Sequence, residues 1–166
     1  MCSKMATWVF LDVDGVLNCN STKEVTPNGF AGVEGKKIAL LADFVHEMGA
    51  RIVLTSTWKD QDLWIRELHP GADLVYLLGR LAEYDIEIDA YTRDGDRSRA
   101  VRDWMDVHPG LYVIFDDSWA ESYADAGITR YLVQTTMARG LQPKHIRRAR
   151  QILEMQRKEM EGRTSE

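Results

Sequence analysis

Four short apolar runs recur along this chain: "TWVFLDV" (7–13), "RIVLTS" (51–56), "LYVIFDD" (111–117) and "RYLVQTT" (130–136). Between them lie stretches long enough for helices. This alternation constrains the fold more than any other feature. A strand that is apolar on both sides must be covered on both sides, and a helical crossover between strands brings them into parallel pairing. The expected class is therefore α/β, a three-layer α/β/α sandwich around a mostly parallel central sheet of Rossmann-like type.

The intervening segments carry helix signals of their own. From Lys36 to Met48, apolar residues fall at Ile38, Leu41, Val45 and Met48, and Gly49 supplies a stop. A helix is expected over 61–68, ending before Pro70. Within 72–91 the pattern is mixed: "ADLVYLLGRLAEY" reads as helix, while "DIEIDAY" alternates like an edge strand. "RSRAVRDWMDV" (97–107) is amphipathic through Val101, Trp104 and Met105. Ser118 and Glu121 have the spacing of a capping box for a helix that Gly127 ends. Pro143 suits the first turn of a long final helix, 143–161. Residues 18–35 are polar and punctuated by Gly and Pro, so a loop or small flap is expected. With 166 residues, no internal repeat and no linker, the chain reads as one domain, 1–166.

Gross composition excludes more than it names. No run of about 18 apolar residues exists, which excludes a membrane-spanning helix. "MCSKMATW" lacks the apolar region of a signal peptide, and Cys2 and Cys19 are too few for a disulfide framework. The reading is a cytoplasmic protein with reduced thiols. The net charge of −5 points to no partner, but Lys144, Arg147, Arg148, Arg150, Arg157, Lys158 and Arg163 make the last segment basic. Such a helix can meet nucleic acid, although it is more often a solvated face.

The chemistry gathers where the apolar runs end. The first closes in Asp12 and Asp14, the second in Thr55 and Ser56, the third in Asp116 and Asp117. In a parallel sheet, sites form outside the carboxyl ends of the strands. Side chains two apart on a strand share a face, so Asp12 and Asp14 are expected to converge. Clustered carboxylates repel one another, and a hard divalent cation such as Mg²⁺ removes that penalty. Mg²⁺ in turn draws phosphate, for which the Thr55 and Ser56 hydroxyls and the turn after them are suited.

"LDVDGVLN", "IVLTSTW" and "VIFDDS", in that order, closely resemble the motifs of the haloacid dehalogenase (HAD) superfamily of phosphotransferases. The resemblance runs from about Val9 to the final helix. It is nearest to small capless members, including phosphatase-like domains associated with RNA repair, which have patterns similar to "IVLTSTWK" and "LVQTT…GL". It implies that Asp12 is a nucleophile forming an aspartyl-phosphate and that Asp14 is the general acid and base. It implies Mg²⁺ held by the Asp12 carboxylate, the Asp14 carbonyl and Asp116, with Asp117 behind them, and the transferring phosphoryl group bound by Thr55. The family's third motif is normally a lysine opening the helix before the last acidic strand. Here "DGDRSRAVRDW" offers none, so Arg97 is the best match, with Arg99 behind it and Lys59 also within reach.

The bland readings are an ordinary Asp-Gly turn at Asp14-Gly15, a helix cap at Asp116-Asp117, and a Trp58 that packs under its loop rather than stacking on a base. His46, His69 and His108 lack metal-ligand spacing and read as structural. The gaps Asn18–Gly35 and Lys59–Asp96 leave no room for a large cap, so the site should be open. An open site suits a nucleotide or nucleic-acid terminus, with sugar phosphates and phosphoproteins as further candidates. The alternatives to a phosphomonoesterase are a phosphate-accepting receiver-like signalling module and a degenerate phosphate-binding domain. The sequence leaves the oligomeric state undetermined.

Overall fold

Alternate positions of the apolar runs part company in the computed structural model, which describes residues 5–59, 69 and 71–164. Five strands, β1 (Thr7–Leu11), β2 (Arg51–Leu54), β3 (Ala90–Tyr91), β4 (Leu111–Asp116) and β5 (Leu132–Gln134), form one sheet in the order β3-β2-β1-β4-β5. Every pairing is parallel. Helices α1 (Gly35–Met48), α2 (Ala72–Ala82), α3 (Arg97–Val107), α4 (Ala120–Asp125) and α5 (Pro143–Thr164) supply the outer layers. The helix expected over 61–68 lies outside the described residues.

Val9, Leu11, Ile52, Leu54, Val113 and Phe115 face one side, where they pack with Leu41 and Phe44 of α1, Leu77 and Leu81 of α2, and Ile152 of α5. Trp8, Phe10, Val53, Tyr112 and Ile114 face the other, against Val101 and Met105 of α3 and Tyr123 of α4. This period-two split is the three-layer sandwich that two-sided apolar strands require. Phe10, Leu11, Phe44 and Phe115 are fully buried, each contributing about 1.5–3 kcal/mol. Helix α1 stops where expected, with Gly49 in the left-handed region (φ 59°) and its N–H returned to the helix carbonyls.

Several elements are shorter than their sequence patterns. The run 130–136 yields only Leu132–Gln134, preceded by a 3₁₀ turn at Thr129–Tyr131. Of "DIEIDAY", only Ala90 and Tyr91 form a strand, because the Asp89 carboxylate accepts the Ile52 N–H (2.7 Å) and so takes a ladder position itself. The capping box at Ser118 and Glu121 does not form. Trp119 takes the cap position with no side-chain cap bond, and the Ser118 hydroxyl turns to Asp117 instead (3.3 Å).

Residues 18–34 form a flap with a single antiparallel bridge, Val25 to Ala31, pinned onto α2. Asn28 bonds Asp73 (3.0 Å), the Tyr76 hydroxyl donates to Glu24 and accepts from the Val33 N–H (3.2 Å), and Arg80 pairs with Glu24 (3.0 Å). Neither sequence gap holds a separate cap among the described residues.

Helix α5 buries His145, Ile146, Ala149, Ile152, Leu153 and Gln156. Beside the start of β4, where β5 does not extend, the Gln156 amide accepts the Tyr112 N–H (2.9 Å) and donates to its carbonyl (2.6 Å), continuing the ladder with a side chain. Part of the helix's basic character is spent in ion pairs, Arg150 with Glu47 (2.7 Å) and Arg157 with Glu154 (3.3 Å). No described helix is long and apolar enough to cross a membrane. At the start of α5, the His145 Nδ1 accepts the Gln142 N–H (2.9 Å), the role Glu plays in a capping box. Burial, then Lys144, pushes the His145 pKa below its ordinary 6.5. A depressed folded-state pKa means this contribution is whole above the unfolded value and is lost as pH falls through the folded one. Stability measured by urea unfolding should therefore drop between about pH 7.5 and about pH 5, and less so in His145→Gln.

Candidate active site

Register brings the strand ends together. Leu11 stands opposite both Leu54 and Phe115, so the next residues, Asp12, Thr55 and Asp116, line up along the carboxyl edge of the sheet. The Asp12 N–H reaches the Phe115 carbonyl (3.0 Å) and the Thr55 N–H reaches the Leu11 carbonyl (2.9 Å). The strand order also reverses here: β2 and β3 lie to one side of β1, β4 and β5 to the other. A crevice at such a switch point is where open α/β sheets bind ligands.

Carboxylate oxygens of Asp12, Asp116 and Asp117 lie within 4.8 Å of one another. Asp117, expected behind the others, stands among them. Arg97 opens α3, whose start is fixed by Asp96 accepting from the Arg99 N–H (3.1 Å) and the Ser98 hydroxyl (2.8 Å). From there its Nη1 lies 3.2 Å from the Asp12 Oδ1 and 2.9 Å from the Asp116 Oδ2. Asp116 is completely buried and also accepts from the Tyr123 hydroxyl (2.9 Å) and the Ser118 N–H (3.0 Å). Burial first, then the charge of Asp116, pushes the Asp12 pKa well above the usual carboxylate range, against the downward pull of Arg97. Burial and Asp116 likewise raise Asp117. Burial works against the charge of Arg97, but Asp12 and Asp116 outweigh it and hold the guanidinium protonated.

With all three carboxylates ionised, the one guanidinium would leave two negative charges uncompensated in the crevice, which is why burial and mutual repulsion push Asp12 and Asp117 toward their neutral forms. A hard divalent cation matches that charge and those oxygen donors. The residues present therefore fit Mg²⁺.

Asp14 goes elsewhere. The chain turns after Leu11 instead of continuing as a strand, and the Val16 and Leu17 N–H groups fold back on the Val13 carbonyl. The Asp14 carboxylate, placed with Asp12 by strand alternation, is not in the cluster. It accepts from the Asn18 amide (2.9 Å) and the Trp58 indole N–H (3.1 Å). Trp58 packs against the core as the bland reading had it, with a polar tip aimed at Asp14. Thr55 and Ser56 are both buried at the end of β2: Thr55 donates its hydroxyl to the Leu11 carbonyl (3.1 Å), and Ser56 accepts from the Trp58 N–H (3.2 Å). Lys59 closes the 3₁₀ turn Thr57–Lys59 and pairs with Asp94 (3.3 Å). His46 donates its Nε2–H to the Asp85 carbonyl (2.7 Å) and His108 stacks on Trp104, so both are structural.

Residues 8–146 match the family described as the HAD domain in Swiss Army Knife RNA repair proteins. The chain belongs to that family. A comparison with curated proteins finds no match. Membership makes this a HAD-type domain of hydrolase character, and it carries a buried acidic cluster at the carboxyl edge of its sheet.

Other residues of this HAD domain hold the site without announcing themselves in the sequence. Asn18 ties its loop three ways, accepting the Gly15 N–H (2.9 Å) and donating to Asp14 and the Gly32 carbonyl (2.9 Å). The Thr135 hydroxyl, in the "QTT" stretch, donates to the Gly15 carbonyl (2.5 Å), and the Leu141 N–H reaches the Val16 carbonyl (2.8 Å). So the "QTT…GL" segment clamps the loop that follows β1. Gly15 has φ 77°, and a Cβ built there would run into the Asp117 carboxylate. Gly15→Ala should therefore lower stability by roughly 2–4 kcal/mol and displace Asp117. Thermal unfolding with and without Mg²⁺ checks this, the variant gaining less from the metal.

Proposed function

We propose that this HAD domain is a Mg²⁺-dependent phosphomonoesterase that works through an aspartyl-phosphate, with nucleotides or nucleic-acid ends as substrates. The observation that carries the reading is Asp12, buried between the Asp116 and Asp117 carboxylates with Arg97 at 3.2 Å. Asp12, the Asp14 carbonyl, Asp116 and Asp117 would hold the metal, which when bound neutralises the carboxylates and draws phosphate charge into the site.

A carboxylate oxygen of Asp12 attacks phosphorus as the P–O bond to the leaving group breaks. Asp14, oriented by Asn18 and Trp58, gives its proton to the departing oxygen. Water then attacks the phosphoryl group, Asp14 takes the proton back, and the bond between phosphorus and Asp12 breaks to release inorganic phosphate. Arg97 faces the charge on the transferring group, which is the work of the lysine in the third motif of the resemblance. Thr55, Ser56 and Lys59 remain proposed phosphate contacts around it.

The substrate class rests on two supports: the flap is small and pinned to α2 rather than folded into a cap, and the matching family is described from RNA repair proteins. The test is a Mg²⁺-dependent screen of mononucleotides, sugar phosphates and oligonucleotides phosphorylated at the 3′ or 5′ end. Multiple turnovers, fastest on the nucleotide substrates, are expected. A stable phosphoprotein formed once per chain would instead support the receiver-like module, and no reaction with any ester the degenerate domain.

A further inference from the structure

Trp119 has no role in the mechanism above, yet it stands beside the carboxylate cluster with 53 % of its surface exposed. Its backbone is in the left-handed region, φ 68° and ψ 17°, a conformation that is unfavourable for an L-residue. For a bulky aromatic residue this is an outlier that calls for an explanation. Both flanks hold it there: the Ser118 N–H is bonded to Asp116 (3.0 Å), and the Trp119 carbonyl accepts the Tyr123 N–H (2.9 Å). Packing does not repay the cost, since half the side chain is in water.

Among the described residues, Arg97 makes a cation–π contact with the indole. The Arg97 Cζ lies over it, 5.7 Å from the ring centre, while the Nη1 of the same guanidinium lies 3.2 Å from the Asp12 oxygen. In series, these contacts keep the indole within about 10 Å of the attacking atom. That is the reach of one sugar. A phosphate poised at Asp12 whose ester oxygen belongs to a ribose would bring its base to the rim where Trp119 is exposed.

We infer that Trp119 is the stacking platform for the nucleobase of the phosphorylated residue, and so sets the preference of this site for nucleotide esters over other phosphates. This rests on the phosphomonoesterase reading and deepens it. A base offers a π-face whatever its identity, and stacking on an aromatic side chain is sequence-tolerant. Arg97 anchors both ends of the arrangement, the phosphate through its charge and the indole through cation–π contact.

The experiment compares wild type, Trp119→Ala and Trp119→Phe on a nucleoside monophosphate, a 3′-phosphorylated oligonucleotide and acyclic glycerol phosphate. Its readout is the ratio of kcat/KM for each nucleotide substrate to that for glycerol phosphate. Trp119→Ala should lower the ratio on the order of tenfold or more, and Trp119→Phe should keep most of it. An unchanged ratio in Trp119→Ala overturns the inference, even if both rates fall, because harm transmitted through Arg97 strikes all phosphates alike. The substrate with the larger wild-type ratio says whether a free nucleotide or a strand end supplies the base. Binding is read separately in the Asp12→Asn background, by calorimetry with the nucleoside monophosphate and with inorganic phosphate. Nucleotide binding that weakens tenfold without Trp119, when the wild-type protein hydrolyses none of these esters, would uphold the platform while ending the phosphomonoesterase reading. Turnover with neither ratio nor nucleotide affinity moved would do the reverse.

Discussion

Asp12→Asn is expected to remove turnover of any phosphate monoester by at least about a thousandfold while leaving the sheet intact. The amide keeps the shape of the carboxylate but cannot attack phosphorus. Stability should move little, or upward, in the metal-free protein. The substitution removes a charge that burial and Asp116 already disfavour, although it also gives up the attraction to Arg97. Steady-state hydrolysis and thermal unfolding of the same preparation check the two halves together. An Asp12→Asn protein that still turns over at a tenth of the wild-type rate would mean the nucleophile lies elsewhere.

The second large effect is at Arg97. Arg97→Ala leaves Asp12 and Asp116 facing each other with no guanidinium between them, one of them nearly and the other wholly buried. Removing one partner from a buried ionic group costs on the order of 3–5 kcal/mol. Part of that loss should be recovered when Mg²⁺ is added, because the metal answers the same charge. Catalysis should fall by about a hundredfold or more, since a fixed cation facing the transferring phosphoryl group is lost. Arg97→Lys should restore a substantial part of the activity, as lysine is the residue the third motif normally carries. Urea unfolding with and without Mg²⁺, alongside kcat/KM for the three proteins, separates the structural loss from the catalytic one. Equal activity in Arg97→Ala and Arg97→Lys would show that charge at this position is not what matters.

How much of this was legible beforehand depended on the range of the interaction. The layers were legible because two-sided apolar runs such as "TWVFL" can be satisfied in few ways, and Arg97 was named only because it stands where the resembled family's third motif has a lysine; in the structure it lies beside Asp12 and Asp116. The Asp14 carboxylate stands apart from the cluster for a local reason: the strand ends at Leu11 and the chain then folds back on the Val13 carbonyl, so strand alternation does not extend to Asp14. The capping box at Ser118 failed because the Asp116 and Asp117 carboxylates compete for the same residue, a contest that spacing does not reveal. Tyr123, Asn18 and Thr135 went unnoticed as site residues because their partners are distant or set by loop geometry. Thr135 meets Gly15 from 120 positions away. The short β3 reflects Asp89 acting as a surrogate for the ladder, which looks in sequence like one more alternating polar residue.

Hydrolysis of phosphate esters in the crevice between β1 and β4, with a metal's help, is the central proposal. The most direct measurement is release of inorganic phosphate from a 3′-phosphorylated oligonucleotide by the purified chain, first with a chelator and then with Mg²⁺ restored in excess. Many phosphates released per chain with Mg²⁺, and almost none with the chelator, is the predicted result. Release that ignores the chelator, or no release in either condition, would contradict it.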